Sequence, residues 1–482
     1  MQRHNRRDFL KSVAIGAAAA ISIPGCKQDI SASASGVSGK SGKKPNIVLI
    51  MIDDMGWMDL HCQGNKNLDT PHIDKLAKDG MRFTDAYAAA PVCSPTRASI
   101  MSGQSPARLM ITNHIPDQAR FTPKNAKLKS AATINVLPLE KVTIAERLKA
   151  AGYATAFMGK WHLSGKRKGN DQGRGDDRFN PENQGFDINI GGCCYGGPPT
   201  FWDPYKIYNL KPRKTGEYLP DRLCDEAMSF LTATSKTDKP FFLSLWNYTV
   251  HWPMEAPPKL VEKYKTRMGP GIKDARYAAM LEAMDTAMGR LFAKLDELGL
   301  REETLVIFTS DNGAYGGVGD NRPLRLDKGH LYEGGIRVPT IIRWPGVVPA
   351  GKTCDTPIIS TDFYPTLLTA AGLAPQKGQI IDGEDITPLM TQKGPLKRKA
   401  IHFHYPNYAF HQSNGLGGAI RQGKYKLIKW YLDDSVELYD LSKDISEKTN
   451  IAKDQPKIAA QMKTDLEAWL KANNAVMPEP IA

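Results

Sequence analysis

Four separated segments of this chain share one plan: a short apolar run of strand-forming residues that ends abruptly in polar ones. Asn46 to Ile52 runs into Asp53-Asp54, and Ala154 to Met158 into Gly159-Lys160-Trp161-His162. Phe241 to Leu245 leads to His251, and Leu305 to Thr309 into Ser310-Asp311-Asn312-Gly313. Apolar runs of this length, without alternation, read as strands buried on both faces. Between them, Val142 to Ala151 and Tyr277 to Leu298 carry apolar residues at helical spacing, and the second stops at Gly299. Strands alternating with helices predict an α/β domain with a large mixed, mainly parallel sheet between helices. Ligands of such sheets sit beyond the carboxyl ends of the strands. The four polar clusters are therefore expected to meet at one site.

A second region is expected from about residue 395. Ile401 to His404, Gly418 to Arg421, Tyr425 to Trp430 and Glu437 to Asp440 are short strand candidates with turns between them, and Lys457 to Ala472 has helical spacing. This predicts a smaller C-terminal antiparallel sheet subdomain with one covering helix, residues 395–482, after a catalytic domain of residues 45–394. The beginning of the chain reads as an address. Arg6-Arg7 stands before a small, Ala-rich apolar stretch that ends at Ile23-Pro24-Gly25-Cys26. Residues 1–25 resemble a twin-arginine signal peptide with a lipoprotein cleavage site. Cys26 would carry the lipid, and residues 26–44 would form a flexible tether. The expectation is an exported bacterial protein, periplasmic or a cell-envelope lipoprotein, touching membrane only through Cys26.

The mean hydropathy of −0.40 excludes a polytopic membrane protein. The formal net charge is +13. Residues 1–25 carry four basic side chains and one acidic, a net +3, so their removal leaves +10. A basic surface suits an anionic substrate. No basic helix, zinc spacing or stacking motif supports nucleic acid. The seven cysteines follow neither a disulfide framework nor a zinc ribbon.

Asp53, Asp54, Asp311 and Asn312 supply oxygen donors at two strand ends. Such a set, without His or thiolate, suits Ca²⁺ or Mg²⁺ and not zinc. Cys93-Ser94-Pro95-Thr96-Arg97 precedes Ala98-Ser99-Ile100-Met101-Ser102-Gly103. Pro95 fits the first turn of a helix, which would put Cys93 at its N-terminus, where free backbone N–H groups attract an anion. Arg97 adds a planar fork for a sulfate- or phosphate-like group.

Cys-x-Pro-x-Arg followed by Ala-Ser-x-x-Ser-Gly resembles the signature of the formylglycine-dependent sulfatase family, type I enzymes of the alkaline phosphatase superfamily. Asn46 to Gly56, Gly159 to Leu163, Ser310 to Gly313 and Lys328 to Pro339 resemble further family segments, in family order. The resemblance implies that Cys93 is oxidised to formylglycine (3-oxoalanine) by a formylglycine-generating or anaerobic sulfatase-maturating enzyme. The hydrated aldehyde is a diol: one hydroxyl attacks, and the other expels sulfate. It also implies a Ca²⁺ ion held by Asp53, Asp54, residue 93, Asp311 and Asn312. Asp311 is further placed as acceptor of the attacking hydroxyl's proton. Arg97 would steady the diol, and Lys160 and Lys328 would draw charge from the sulfate. His162 would act as base in the release step, and His251, with Lys328 as a second donor, would protonate the leaving alcohol. His251 departs from the family's Pro-His-x-Pro, since Val250-His251-Trp252-Pro253 keeps only the later Pro. His330 either faces the site or lies behind it.

The activity so implied is hydrolysis of sulfate esters, with a sulfated carbohydrate as the expected partner. Asn113, His114, Tyr195, Trp202, His404, His411 and Arg421 lie in irregular or C-terminal segments and are the candidate substrate contacts. Two alternatives remain at this point: a phosphonate monoester or phosphodiester hydrolase, which resembles sulfatases in nucleophile and metal, and a non-catalytic lipoprotein that binds sulfated glycans.

Overall fold

The strand Asn46–Ile52 (β1) is buried along its seven residues and lies in the middle of an eight-stranded sheet. The computed structural model describes residues 43–481. The expectations placed on residues 1–25, on Cys26 and on nearly all of the tether lie outside them. The other strands of this sheet are Met81–Phe83 (β2), Ala154–Gly159 (β3), Ile188–Ile190 (β4), Phe241–Trp246 (β5), Thr304–Ser310 (β6), Thr340–Arg343 (β7) and Lys352–Cys354 (β8). Their order is β8-β2-β7-β6-β1-β5-β3-β4. Only β7 runs antiparallel to its neighbours, so the sheet is mixed and mainly parallel, as expected.

Successive residues of β1 feed two separate apolar layers. Val48, Ile50 and Ile52 join one, with helices Leu219–Thr234 and Ala275–Glu297, while Ile47, Leu49 and Met51 join the other, with helices Cys93–Ser102 and Phe363–Ala370. This period-2 division is why the strand reads as continuously apolar in sequence. The helix Cys93–Ser102, termed α1, is buried in all ten residues and ends at Gly103, whose φ of 69° lies in the left-handed region. A Cβ at Gly103 would stand 2.9 Å from the Tyr364 ring, so both backbone conformation and packing favour glycine there.

The register sets the site. Ile52 pairs with Ser310, Met51 with Trp246 and Gly159 with Trp246, so β1, β3, β5 and β6 end level with one another. Everything that follows these residues emerges at one edge of the sheet.

The C-terminal region is a four-stranded antiparallel meander of Ala400–Tyr405 (β9), Gly417–Gln422 (β10), Tyr425–Trp430 (β11) and Val436–Asp440 (β12). Ile420, Leu427 and Leu438 pack under the helix Pro456–Ala472. Ala419, Ile428 and Tyr439 face the opposite way, onto Tyr87, Val92 and Ile336 of the catalytic domain. A buried ion network crosses the same contact. Lys426 on β11 reaches Glu333 at 2.9 Å and Glu447 at 2.8 Å, and all three are fully buried. Tyr87 and Arg337 also bond Glu333. Burial is opposed at Glu333 by Lys426 and Arg337, which hold its carboxyl at about 2, whereas burial pushes Glu447 up to about 7. Lys426→Met should therefore destabilise the protein by about 3–5 kcal/mol, because two buried carboxylates lose their shared cation. Urea unfolding checks this, and the deficit should shrink from pH 8 to pH 5 as the orphaned carboxyls take up protons. An unchanged midpoint would show that the network adds nothing.

Candidate active site

Two residues that leave the strand ends do so with left-handed backbone: Asp54 has φ of 60° and His162 of 61°. Side chains seldom adopt this region outside glycine, and the surrounding structure must hold it. Around Asp54, the backbone N–H of Asp53 bonds to the Thr249 carbonyl and that of Asp54 to Asp311 Oδ1, and Tyr277 donates to the Asp54 carbonyl.

The four polar clusters meet, as the strand ends predicted. Asp53, Asp54 and Asp311 bring carboxylate oxygens within 4.8 Å of one another and are fully buried. Lys160 Nζ lies 2.7 Å from Asp53, and Lys328 Nζ 2.6 Å from Asp54. Arg97 donates from Nε and Nη2 to one oxygen of Asp311, at 2.9 and 2.7 Å, and from Nη1 to the Lys160 carbonyl. Asn312 donates to Asp54 Oδ1 at 2.8 Å, but its own buried Oδ1 has no partner among the described residues. Burial and the two neighbouring carboxylates raise Asp53 despite Lys160 and Arg97. At Asp54 burial is outweighed by Lys328, His251 and Lys160, and at Asp311 by Arg97 and Lys160, so both carboxyls are held low. Three close carboxylates and an unpartnered amide oxygen form a hard, all-oxygen donor set that fits Ca²⁺ or Mg²⁺.

Cys93 begins α1 and Pro95 occupies its third position, as the sequence indicated. Its Sγ lies 3.4 Å from His162 Nδ1, and Ser94 Oγ lies 3.2 Å from the same nitrogen. His162 Nε2 is hydrogen-bonded to the Ile115 carbonyl. A carbonyl oxygen can only accept, so Nε2 carries the proton and Nδ1 presents its lone pair to residues 93 and 94. Burial pushes the Cys93 thiol up and the His162 ring well down. Cys93, His162, His251 and Lys328 all line one cleft of about 660 Å³.

The expected substrate contacts divide. His114 and Tyr195 line the cleft. Trp202 does not: its ring packs on Tyr218, with centroids 4.8 Å apart. His404 is buried, with its nitrogens on Tyr431 Oη and the Val476 carbonyl, and Arg421 is turned to Asp85 and the Gly423 carbonyl. Those two point into the protein because their strands are sandwiched between the C-terminal helix and the catalytic domain. Asn113 is buried and holds Asp117 and the Tyr408 carbonyl. His411 supports the Lys328 carbonyl at 3.0 Å and stacks on His330, centroids 4.6 Å apart, so both lie behind Lys328. The fork of Arg97, expected to meet the anion, is committed to Asp311 and the Lys160 carbonyl and does not line the cleft. Sequence reasoning missed Ser94, the Ile115 carbonyl and the cleft residues Arg120, Lys166, Tyr315 and Phe410. Only Ser94 stood inside a recognised motif.

A carboxylate cluster beside a helix-terminal cysteine, with buried lysines, a neutral histidine base and an open cleft, is the machinery of a hydrolase for anionic esters. The chain belongs to the sulfatase family: the family model "Sulfatase" matches residues 45–373, and the model of the N-sulphoglucosamine sulphohydrolase C-terminal region matches 324–473. It is a type I sulfatase of the alkaline phosphatase superfamily and a sulfuric ester hydrolase. A sulfatase of Formosa agariphila is 32% identical, with 90% of each chain covered. Human arylsulfatase A is 33% identical, over 85% of this chain and 83% of that one. The solved structure of Ps i-CgsB in complex with k-i-k-neocarrahexaose superposes with a TM-score of 0.74 at 28% identity, covering 89% of this chain and 94% of that one.

Proposed function

We propose that this sulfatase removes sulfate from sulfated carbohydrates, using a formylglycine made from Cys93 and one Ca²⁺ held by Asp53, Asp54, Asp311, Asn312 and residue 93. The observation that carries this reading is the position of Cys93: at a helix N-terminus, on the cleft floor, facing the unprotonated nitrogen of His162. When bound, the ion would supply Lewis-acid charge to a sulfate oxygen, and the hydrated aldehyde would supply two hydroxyls.

The chain's own residues do the rest. Lys328, a cation with its pKa raised beside Asp54, lines the cleft and meets the incoming sulfate. Arg97 and Lys160 pin Asp311 and Asp53. His162 Nδ1 takes a proton from residue 93 in the release step. His251 lines the cleft, with Nδ1 on the Trp252 carbonyl and Nε2 3.8 Å from Asp54, so it serves as proton donor to the leaving oxygen only as the doubly protonated ring. Burial beside Lys328 and Lys160 holds His251 at about 3, and negative charge arriving with the ester works against that depression.

The carbohydrate reading is supported by the net charge of +10 that remains after residues 1–25 and by the bound oligosaccharide of Ps i-CgsB. The twin-arginine and Cys26 features support a cell-envelope lipoprotein, and a maturation enzyme is the required partner for Cys93. The test is sulfate release from sulfated mono- and oligosaccharides beside nitrophenyl sulfate and an aryl phosphodiester. Faster phosphodiester cleavage than any sulfate would overturn the proposal in favour of the phosphohydrolase reading. His251→Ala should keep its metal and lose about 10²–10⁴-fold in rate on alkyl sugar sulfates, with far less lost on nitrophenyl sulfate, whose leaving group needs little protonation. Equal losses on both would remove His251 from the acid role.

A further inference from the structure

The cleft is lined by Lys328, Arg120, Lys166 and Arg167, and by no Asp or Glu among the described residues. Lys328 suffices to meet the scissile sulfate, so three cations are in excess. Arg167 is partly committed, with Nε on the Gly169 carbonyl at 2.7 Å and Asp171 4.0 Å away. Arg120 and Lys166 make no ion pair among the described residues. Other exposed or half-exposed arginines of this chain, such as Arg213, Arg276 and Arg322, each clamp a carboxylate. Solvation alone does not favour gathering unpaired like charges in a concavity, where their field is focused and their repulsion is greatest.

Arg120 is also held in place. Its carbonyl accepts from Gln412 Nε2 at 2.6 Å, and its guanidinium lies 5.4 Å from the Phe121 ring centroid. An arginine backed by an aromatic face keeps its in-plane donors free for an anion. Tyr315 and Phe410, stacked at 5.2 Å, line the same cleft and offer an apolar face for sugar C–H groups.

We propose that this cleft selects substrates carrying a second anionic group besides the scissile sulfate, and that Arg120 and Lys166 hold that group. This rests on the sulfated-carbohydrate reading and deepens it: the substrate is a multiply anionic sugar. The second anion is a further sulfate or a uronic acid carboxylate, two sources that share one chemistry. The attraction should weaken as salt rises, because both cations are exposed.

The experiment compares kcat/KM for matched sugars: monosulfated members, the same sugars with a second sulfate, and monosulfated disaccharides with a neighbouring uronic acid. In the unsubstituted protein the best doubly anionic member should exceed its singly charged counterpart by about tenfold at low salt. Arg120→Gln combined with Lys166→Gln should bring that ratio to about one, and Arg120→Glu should bring it below one. The ratio is internal to each variant, so a loss of active enzyme cancels. Whether the sulfate or the carboxylate arm shows the advantage identifies the second anion. A ratio of one in the unsubstituted protein, or an unchanged ratio in the variants, overturns the inference and leaves the carbohydrate reading intact. Cleavage of nitrophenyl sulfate with no sugar desulfated overturns both.

Discussion

Cys93→Ser, made in a host whose maturation system modifies only cysteine, should yield a folded protein at least about 10⁴-fold less active on every sulfate ester. The substitution is nearly isosteric, and residue 93 is 2% exposed on the cleft floor, so packing of α1 should survive. What is lost is the second hydroxyl. A serine could accept sulfate, but the resulting ester would have no internal route to expel it, so turnover stops after one event. His162 would keep its geometry, with Nε2 on the Ile115 carbonyl and Nδ1 facing residue 93. Steady-state rates, a circular dichroism spectrum and mass spectrometry of the peptide containing residue 93 together check the prediction. Turnover like that of the unsubstituted protein would exclude the formylglycine mechanism.

Asp311→Ala should remove the metal, lower activity on the order of 10³-fold or more, and destabilise the fold. Asp311 has two tasks. One oxygen accepts the Arg97 fork, and the other accepts the Asp54 N–H at 3.2 Å, within the three-carboxylate cluster. Arg97 has no exposed surface, and deleting the carboxylate that accepts two of its hydrogen bonds leaves only Asp53, 3.7 Å away, as a buried counter-charge, which should cost about 1–3 kcal/mol. Asp311→Asn, which keeps the shape, separates lost charge from lost packing. Elemental analysis should give one Ca²⁺ per chain in the unsubstituted protein and none in either variant. A chelator should lower the unfolding temperature of the unsubstituted protein only, by linkage. Two zinc ions per chain, or full activity of Asp311→Ala, would contradict the assignment. In the metal-free protein the carboxyls of Asp54 and Asp311 are held low, so their contribution to stability is present above the ordinary carboxylate range and is lost as pH falls from that range to their lower folded values; Asp53, raised, acts in the opposite sense.

Much of this was determined by the sequence itself. Continuous apolar runs of this length, rich in β-branched and aromatic residues, read as strands covered on both faces, and parallel strands present their carboxyl ends on one side of a sheet. Hence Asp53, His162, His251 and Asp311 could be expected at one site from chain positions far apart. The short strand candidates from residue 401 onward announced a small antiparallel sheet under one helix, and Pro95 announced the helix that begins at Cys93; that the sheet's other face packs on the catalytic domain came only from the tertiary structure. Only the tertiary structure decided where the side chains between these elements point. His404 and Arg421 looked available in a list of polar residues, but a strand packed on both sides turns them inward to Tyr431 and Asp85. Arg97 looked like an anion fork, but a neighbouring carboxylate 214 positions away captured it. Arg120, Lys166, Tyr315 and Phe410 reach the same cleft from unrelated loops. Local sequence fixes backbone preference and periodicity. Which loops become neighbours, and which charges find partners, depends on contacts whose sequence separation carries no local signal.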